Sequence, residues 1–105
     1  MTLREGVFQI VKKIPKGKVV SYGQIAKYLG SRAYRAVAQI LKTNKFPVTT
    51  PCHRVVNSNG DIGGYFGAFQ DMINVKKELL EKEGIIFVEN KIPKEYFANI
   101  EDFME

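Results

Sequence analysis

The chain has 105 residues, 45% of them apolar and 11% aromatic, with sixteen Lys and Arg against eleven Asp and Glu for a net charge of +5. That composition suits one domain with a modest core and excludes a disordered chain. No apolar run approaches the roughly eighteen residues of a membrane span and the N-terminus lacks the apolar core of a signal peptide, so a cytoplasmic protein is expected, or a nuclear one in a eukaryote.

The charge is unevenly placed. Residues 1 to 58 hold eleven Lys and Arg against one acid, Glu5, whereas residues 59 to 105 hold five Lys against ten Asp and Glu. A polyanion would bind the first half, and nucleic acid is the commonest such partner. The lone cysteine cannot form an internal disulfide, in keeping with a reducing compartment.

Thr2 and Glu5 form a capping-box pattern ahead of Leu3, Val7, Ile10, Val11 and Ile14, which recur at helical spacing and predict a first helix ending at Pro15. Pro15 to Lys18 reads as a turn and Val19-Val20 as a short extended link. Ser21 and Gln24 repeat the capping pattern before a two-turn helix from about Tyr22 to Leu29, stopped by Gly30. Ser31 is a candidate cap for a further helix from Arg32 to Lys42, with Ala33, Ala36, Val37, Ile40 and Leu41 mostly on one side and Arg32, Arg35, Gln39 and Lys42 mostly on the other. Two short helices joined by a Gly-Ser turn, the second carrying arginines, read as a helix-turn-helix.

Residues 44 to 50 form a loop broken by Pro47. Val55-Val56 and Ile62 flank an Asn-Gly step, the sequence signal of a β-hairpin. Gly63-Gly64-Tyr65-Phe66-Gly67 permits close backbone approach without matching a phosphate-binding pattern. A helix is expected over Asp71 to Glu83 with Met72, Val75, Leu79 and Leu80 inward and Gly84 as its stop. Ile85 to Val88 suits a strand, and Lys94 to Met104 an amphipathic tail helix packing Phe97, Ile100 and Phe103.

Between these elements lies Pro51-Cys52-His53-Arg54-Val55, where the only cysteine adjoins the only histidine. A thiolate is a strong nucleophile, and a nearby imidazole or guanidinium is the usual means of making one at neutral pH. A lone cysteine is also commonly inert core filler, and side chains adjacent on a strand point to opposite faces. On a turn or first helical turn, however, both side chains can reach one water molecule that carries the proton from thiol to imidazole.

Pro-Cys-His-Arg-Val, preceded by Ile14 to Ala26, Arg35-Ala36-Val37 and Asn44 and followed by Gly63-Gly64-Tyr65 and Leu79 to Gly84, closely resembles the C-terminal domain of the O6-alkylguanine-DNA alkyltransferases, the methylated-DNA-protein-cysteine methyltransferases. The resemblance runs from about Phe8 to Gly84 and implies a mainly α-helical fold with a small β-hairpin, a winged helix-turn-helix-like domain. It implies a single DNA-binding and catalytic domain over residues 1–105 without the N-terminal domain of many relatives. The expected activity is DNA repair: one irreversible transfer of a methyl or alkyl group from O6 of guanine to Cys52 by a monomer, on double-stranded DNA entered from the minor groove, with no cofactor, no metal and no obligatory protein partner. The damaged base has to be flipped because O6 is stacked inside the duplex.

The resemblance also assigns roles. His53 would deprotonate Cys52 through a water, Glu83 would orient His53, Tyr22 would give a proton to guanine N3, and Asn44 would brace the segment between recognition helix and site. Tyr65 would wall the pocket, and the carbonyls of Cys52 and Val55 would accept from the guanine amino group. Arg35 would fill the space of the extruded nucleotide, with Ser21, Gln24, Arg32, Ala33 and Tyr34 as further DNA contacts.

This chain departs from the family at several points. Phe66 stands where a serine commonly bonds the substrate oxygen, leaving that task to backbone N–H groups of the glycine-rich loop, Gly67 among them. Tyr34 and Ala38 replace residues that are usually smaller, and about four extra residues near 69 to 74 lengthen the approach to the last long helix. The alternative reading is a noncatalytic alkyltransferase-like protein that flags alkylated guanine for another pathway; those proteins carry tryptophan where this chain has Cys52. A sequence-specific helix-turn-helix regulator and a cysteine hydrolase rank behind.

Overall fold

A computed structural model describes residues 2–43, 50–62 and 70–104, with the side chains of residues 70 to 72 left out. In chain order the elements are α1 (Leu3–Lys13), β1 (Val20–Ser21), α2 (Tyr22–Tyr28), α3 (Tyr34–Leu41), a 3-10 turn (Cys52–Arg54), β2 (Val55–Val56), α4 (Gln70–Lys82), a second 3-10 turn (Lys94–Tyr96) and α5 (Ile100–Phe103). No helix among the described residues is long and apolar enough to cross a membrane.

The first half forms as its caps dictate. Thr2 Oγ1 accepts from the Glu5 amide and Glu5 Oε1 from the Thr2 amide, while Ser21 and Gln24 exchange the same pair of bonds at the head of α2. Each reciprocal pair satisfies two amides that helix geometry leaves without partners. The third helix differs. Its cap position is Ala33, with no side-chain cap bond; Ser31 Oγ accepts from the Ala33 amide instead, so the serine closes a turn and α3 starts two residues later than expected.

The hairpin expected after Cys52 gives way to a different pairing. β2 lies parallel to β1, with Val20 opposite Val55 and Ser21 opposite Val56. The Asn-Gly step does make a turn, in which the Gly60 amide donates to Asn57 O and the Asn57 amide to Asp61 O, but Ile62 belongs to no strand. Gly60 sits at φ +91°, and an added Cβ there would stand 2.7 Å from Ile92 O. Paired with β1, both valines of β2 are fully buried.

Side-chain alternation along this short sheet splits the core in two. Val20 and Val55 join Val7, Ile10, Val11, Ile25, Val37 and Cys52, whereas Val19 and Val56 join Leu80, Ile85 and Ile92. The Cys52–Arg54 turn thus sits at the seam between the helical half and α4.

Three further expectations change in the second half. Val75 is 41% exposed, and Lys76 is buried in its place at 0%. Residues 85 to 88 form only an isolated bridge between Val88 and Lys91. The tail helix is interrupted because Phe97 bridges to Val19 as a strand residue would, leaving a 3-10 turn before it and the four-residue α5 after it. Met72 lies outside the described side chains.

Candidate active site and nucleic-acid interface

Cys52 and His53 lie on the 3-10 turn, the kind of local geometry in which adjacent side chains are not forced to opposite faces. Both are buried. The turn is held by the Cys52 amide donating to Thr50 O at 2.7 Å and the Arg54 amide to Pro51 O at 3.0 Å. Helix α4 brings Glu83 against it from the other side, just past the helix end, where Gly84 adopts φ +98°.

Glu83 receives three bonds. Its Oε2 lies 2.9 Å from His53 Nε2 and 2.6 Å from an Arg54 terminal nitrogen, and its Oε1 accepts from Arg54 Nε at 2.9 Å. Arg54 spends its remaining fork nitrogen on Ile14 O at 2.8 Å, tying the end of α1 to the site. Burial alone would raise the Glu83 carboxyl, but the hydrogen bonds from Arg54 and His53, with the charges behind them, hold it down at about 2. An ionised Glu83 fixes the proton of a neutral His53 on Nε2. Its other nitrogen, Nδ1, is buried and without a hydrogen-bond partner among the described residues, so it presents a lone pair. Burial pushes the imidazole below its ordinary value, with Glu83 opposing and the charges of Arg54 and Lys76 adding to the fall, which keeps it an unprotonated base at pH 7.

Sequence reasoning missed Lys76. Its Nζ donates to Val55 O at 2.7 Å and to Tyr22 Oη at 3.3 Å, and stands 5.6 Å from the Tyr22 ring centre. Burial brings this ammonium down to about 7, against the opposing effect of negative charge at Cys52. Burial, reinforced by the same charge, pushes the Tyr22 phenol up to about 12. The signal was present in the spacing: Lys76, Leu80 and Glu83 are four and three residues apart and share one face of α4. A Glu83 that faces the site therefore carries Lys76 with it. The Val55 carbonyl, expected at the substrate's amino group, already accepts from Lys76; with a second lone pair it can accept another donor.

The remaining expected residues divide by place. Arg32, Ala33, Tyr34 and Arg35 are exposed side by side at the start of α3, with the Arg35 guanidinium 6.0 Å from the Tyr34 ring centre. Ser21 and Gln24 are not part of that strip: Ser21 is buried, both side chains serve the cap of α2, and Gln24 Nε2 donates to Ala98 O. Asn44, Tyr65, Phe66 and Gly67 lie outside the described residues.

The sequence and the fold both find counterparts in known proteins. A family model described as the 6-O-methylguanine DNA methyltransferase DNA-binding domain matches residues 2–85. The chain is 45% identical over 91 residues to the methylated-DNA-protein-cysteine methyltransferase of Saccharolobus solfataricus, covering 87% of this chain and 53% of that protein. It is 40% identical over 79 residues to that of Methanothermobacter thermautotrophicus, covering 75% and 42%. The chain thus spans about half or less of the length of these relatives. Among solved structures it is similar to S. pombe Atl1 in complex with damaged DNA containing O6-carboxymethylguanine, with TM-score 0.80, 32% identity and coverage of 91% of this chain and 94% of that one. The Mycobacterium tuberculosis OGT in complex with DNA superposes with TM-score 0.70 and 37% identity over 79% of this chain and 50% of its own. With the family model matching residues 2–85 and the fold shared with solved members, the chain belongs to the O6-methylguanine-DNA methyltransferase family, whose DNA-binding domain it carries.

Proposed function

We propose that residues 1–105 act as one DNA-binding and catalytic unit that removes an alkyl group from O6 of guanine in double-stranded DNA and keeps it on Cys52. The observation that carries this reading is the pairing of His53 Nε2 with Glu83 at 2.9 Å, which leaves Nδ1, without a hydrogen-bond partner among the described residues, on the residue beside the only cysteine.

In this reading Nδ1 takes the thiol proton of Cys52, through a water, and the thiolate attacks the alkyl carbon. A C–S bond forms as the C–O6 bond breaks, and the bonding pair leaves with guanine. Tyr22 Oη supplies a proton to N3 of the leaving base. A phenol with its pKa near 12 does not remain ionised beside an ammonium titrating near 7, so Lys76 returns the proton to Tyr22. The protonated His53 is stabilised by Glu83, in the manner of other nucleophile-base-carboxylate triads. The thioether so formed is not cleaved by hydroxide or thiol at neutral pH, so each molecule acts once. Arg35, on an exposed strip with Arg32, Ala33 and Tyr34, fills the stack where the base has left.

A second reading, a lesion-binding protein that transfers nothing, draws support from the match to Atl1 over 94% of that chain's length. Intact-protein mass spectrometry after incubation with duplex DNA bearing O6-methylguanine separates the two. Gain of one methyl group, mapped to the Cys52 peptide and absent from Cys52→Ser, is the expected result. Lesion binding with no mass change in the unaltered protein sinks the transfer reading and favours the second.

A further inference from the structure

We propose that Tyr34 and the Asn57–Asn59 turn form a clamp for the nucleotide next to the extruded guanine, a specificity element that rests on the reading of this face as a DNA interface. The two segments face each other across an open cleft of about 390 Å³ lined by Tyr22, Gly23, Tyr34, Asn57, Ser58 and Asn59. Tyr22 belongs both to this cleft and to the buried Lys76 cluster, so the cleft abuts the reacting centre. An occupant of the cleft would touch Tyr22 as well as Tyr34.

Its two walls differ in chemistry. Tyr34, the first residue of α3, is 52% exposed and among the large hydrophobic side chains left at the surface. Its ring carries the Arg35 guanidinium 6.0 Å from its centre, which aligns a cation and an aromatic plane at the same edge of the helix. The opposite wall is neutral and hydrogen-bonding, with Asn57 and Ser58 exposed. It is also braced: the Gly60 amide donates to Asn57 O, the Ile92 amide to Gly60 O, and Asn59 spends its amide on Asp61.

An aromatic plane opposite a fixed row of neutral polar groups suits a single nucleotide, with its base on the ring and its sugar and phosphate along the amides and hydroxyl. Extrusion of guanine supplies such a nucleotide, because its neighbour loses a stacking partner at that moment. Arg35 fills the gap and Tyr34 covers the face left bare beside it. Discrimination then depends on a base that has left the stack as well as on the alkyl group.

The test uses the full chain with Cys52→Ser, so that the lesion survives the measurement, and duplex DNA with O6-methylguanine flanked on either side in turn by 2-aminopurine. Stacking on Tyr34 quenches that fluorophore at one of the two positions. With Tyr34→Ala the complex should be at least twofold brighter at that position and lesion affinity roughly tenfold weaker, in the range of a lost base-aromatic stack. Tyr34→Phe should keep both properties. Brightness and affinity unchanged by Tyr34→Ala overturn the clamp alone, whereas absence of lesion binding by the parent protein overturns the DNA-interface reading and the clamp with it. Circular dichroism of each variant guards against loss of fold.

Discussion

Lysine 76 is a full-length cation with no exposed surface, and replacing it with methionine should change how stability depends on pH. The folded protein holds this ammonium near 7, whereas the unfolded chain holds it near 10.5. Between those values the unfolded state binds the extra proton, so stability rises with pH. Below about 7 both states are protonated and the full cost of burying the charge is present; above about 10.5 neither is and the cost is gone. Evaluated with those two values, the cost falls by about 3 kcal/mol between pH 7 and 9.5 at 1.36 kcal/mol per pKa unit. Lys76→Met removes this slope. It leaves Val55 O without its donor, which adds a penalty of about 1–3 kcal/mol that does not vary with pH. Urea unfolding followed by circular dichroism, from pH 7 to 9.5, yields the difference between parent and variant. That difference should move by about 3 kcal/mol in favour of the parent as pH rises. A difference that stays constant across the range would refute the placement of a titrating amine in the core. In a Cys52→Ser background the slope should begin at lower pH, because negative charge at Cys52 is what holds the ammonium up.

Two more substitutions probe the frame around the site. Arg54→Lys keeps a charge but loses the fork that engages both Glu83 oxygens and Ile14 O, and should cost about 2 kcal/mol. Glu83 stabilises the fold above its unfolded value of about 4.5 and loses that effect as pH falls toward 2, so raising its folded value moves the acid transition, read by tyrosine fluorescence, to higher pH. Gly60→Ala meets Ile92 O at 2.7 Å in a left-handed backbone, and should lower the denaturation midpoint by the equivalent of about 2 kcal/mol or more.

The local elements were legible where a few neighbouring residues decide them. Two capping boxes announce α1 and α2, and Gly84 announces the end of α4. What escaped depends on partners distant in sequence. The Asn-Gly step was correctly a turn, yet no local pattern says that Val55 pairs in parallel with Val20. Ser31 had the right chemistry for a cap and used it on a turn two residues ahead of the helix cap. In α4 the hydrophobic pattern assigned Val75 inward because it is apolar; a buried lysine breaks that rule and is affordable only where a carbonyl and a phenol receive it. Cys52, His53 and Glu83 were named together from the family's pattern, while the bonding that fixes the imidazole tautomer needed coordinates.

The two-stranded sheet ties the Cys52 turn to the completion of folding. Val20 and Val55 are thirty-five positions apart (55 − 20), and the intervening chain contains both helices of the arginine-bearing hairpin. Closing so long a segment has an entropic cost that is recovered only when the pairing and its two cores form together. The Cys52–Arg54 turn leads directly into that pairing, and Lys76 reaches Val55 only once the strand is in place. The hydrogen-bonded surroundings of Cys52 therefore exist only in chains in which the α2–α3 hairpin is already assembled against β2.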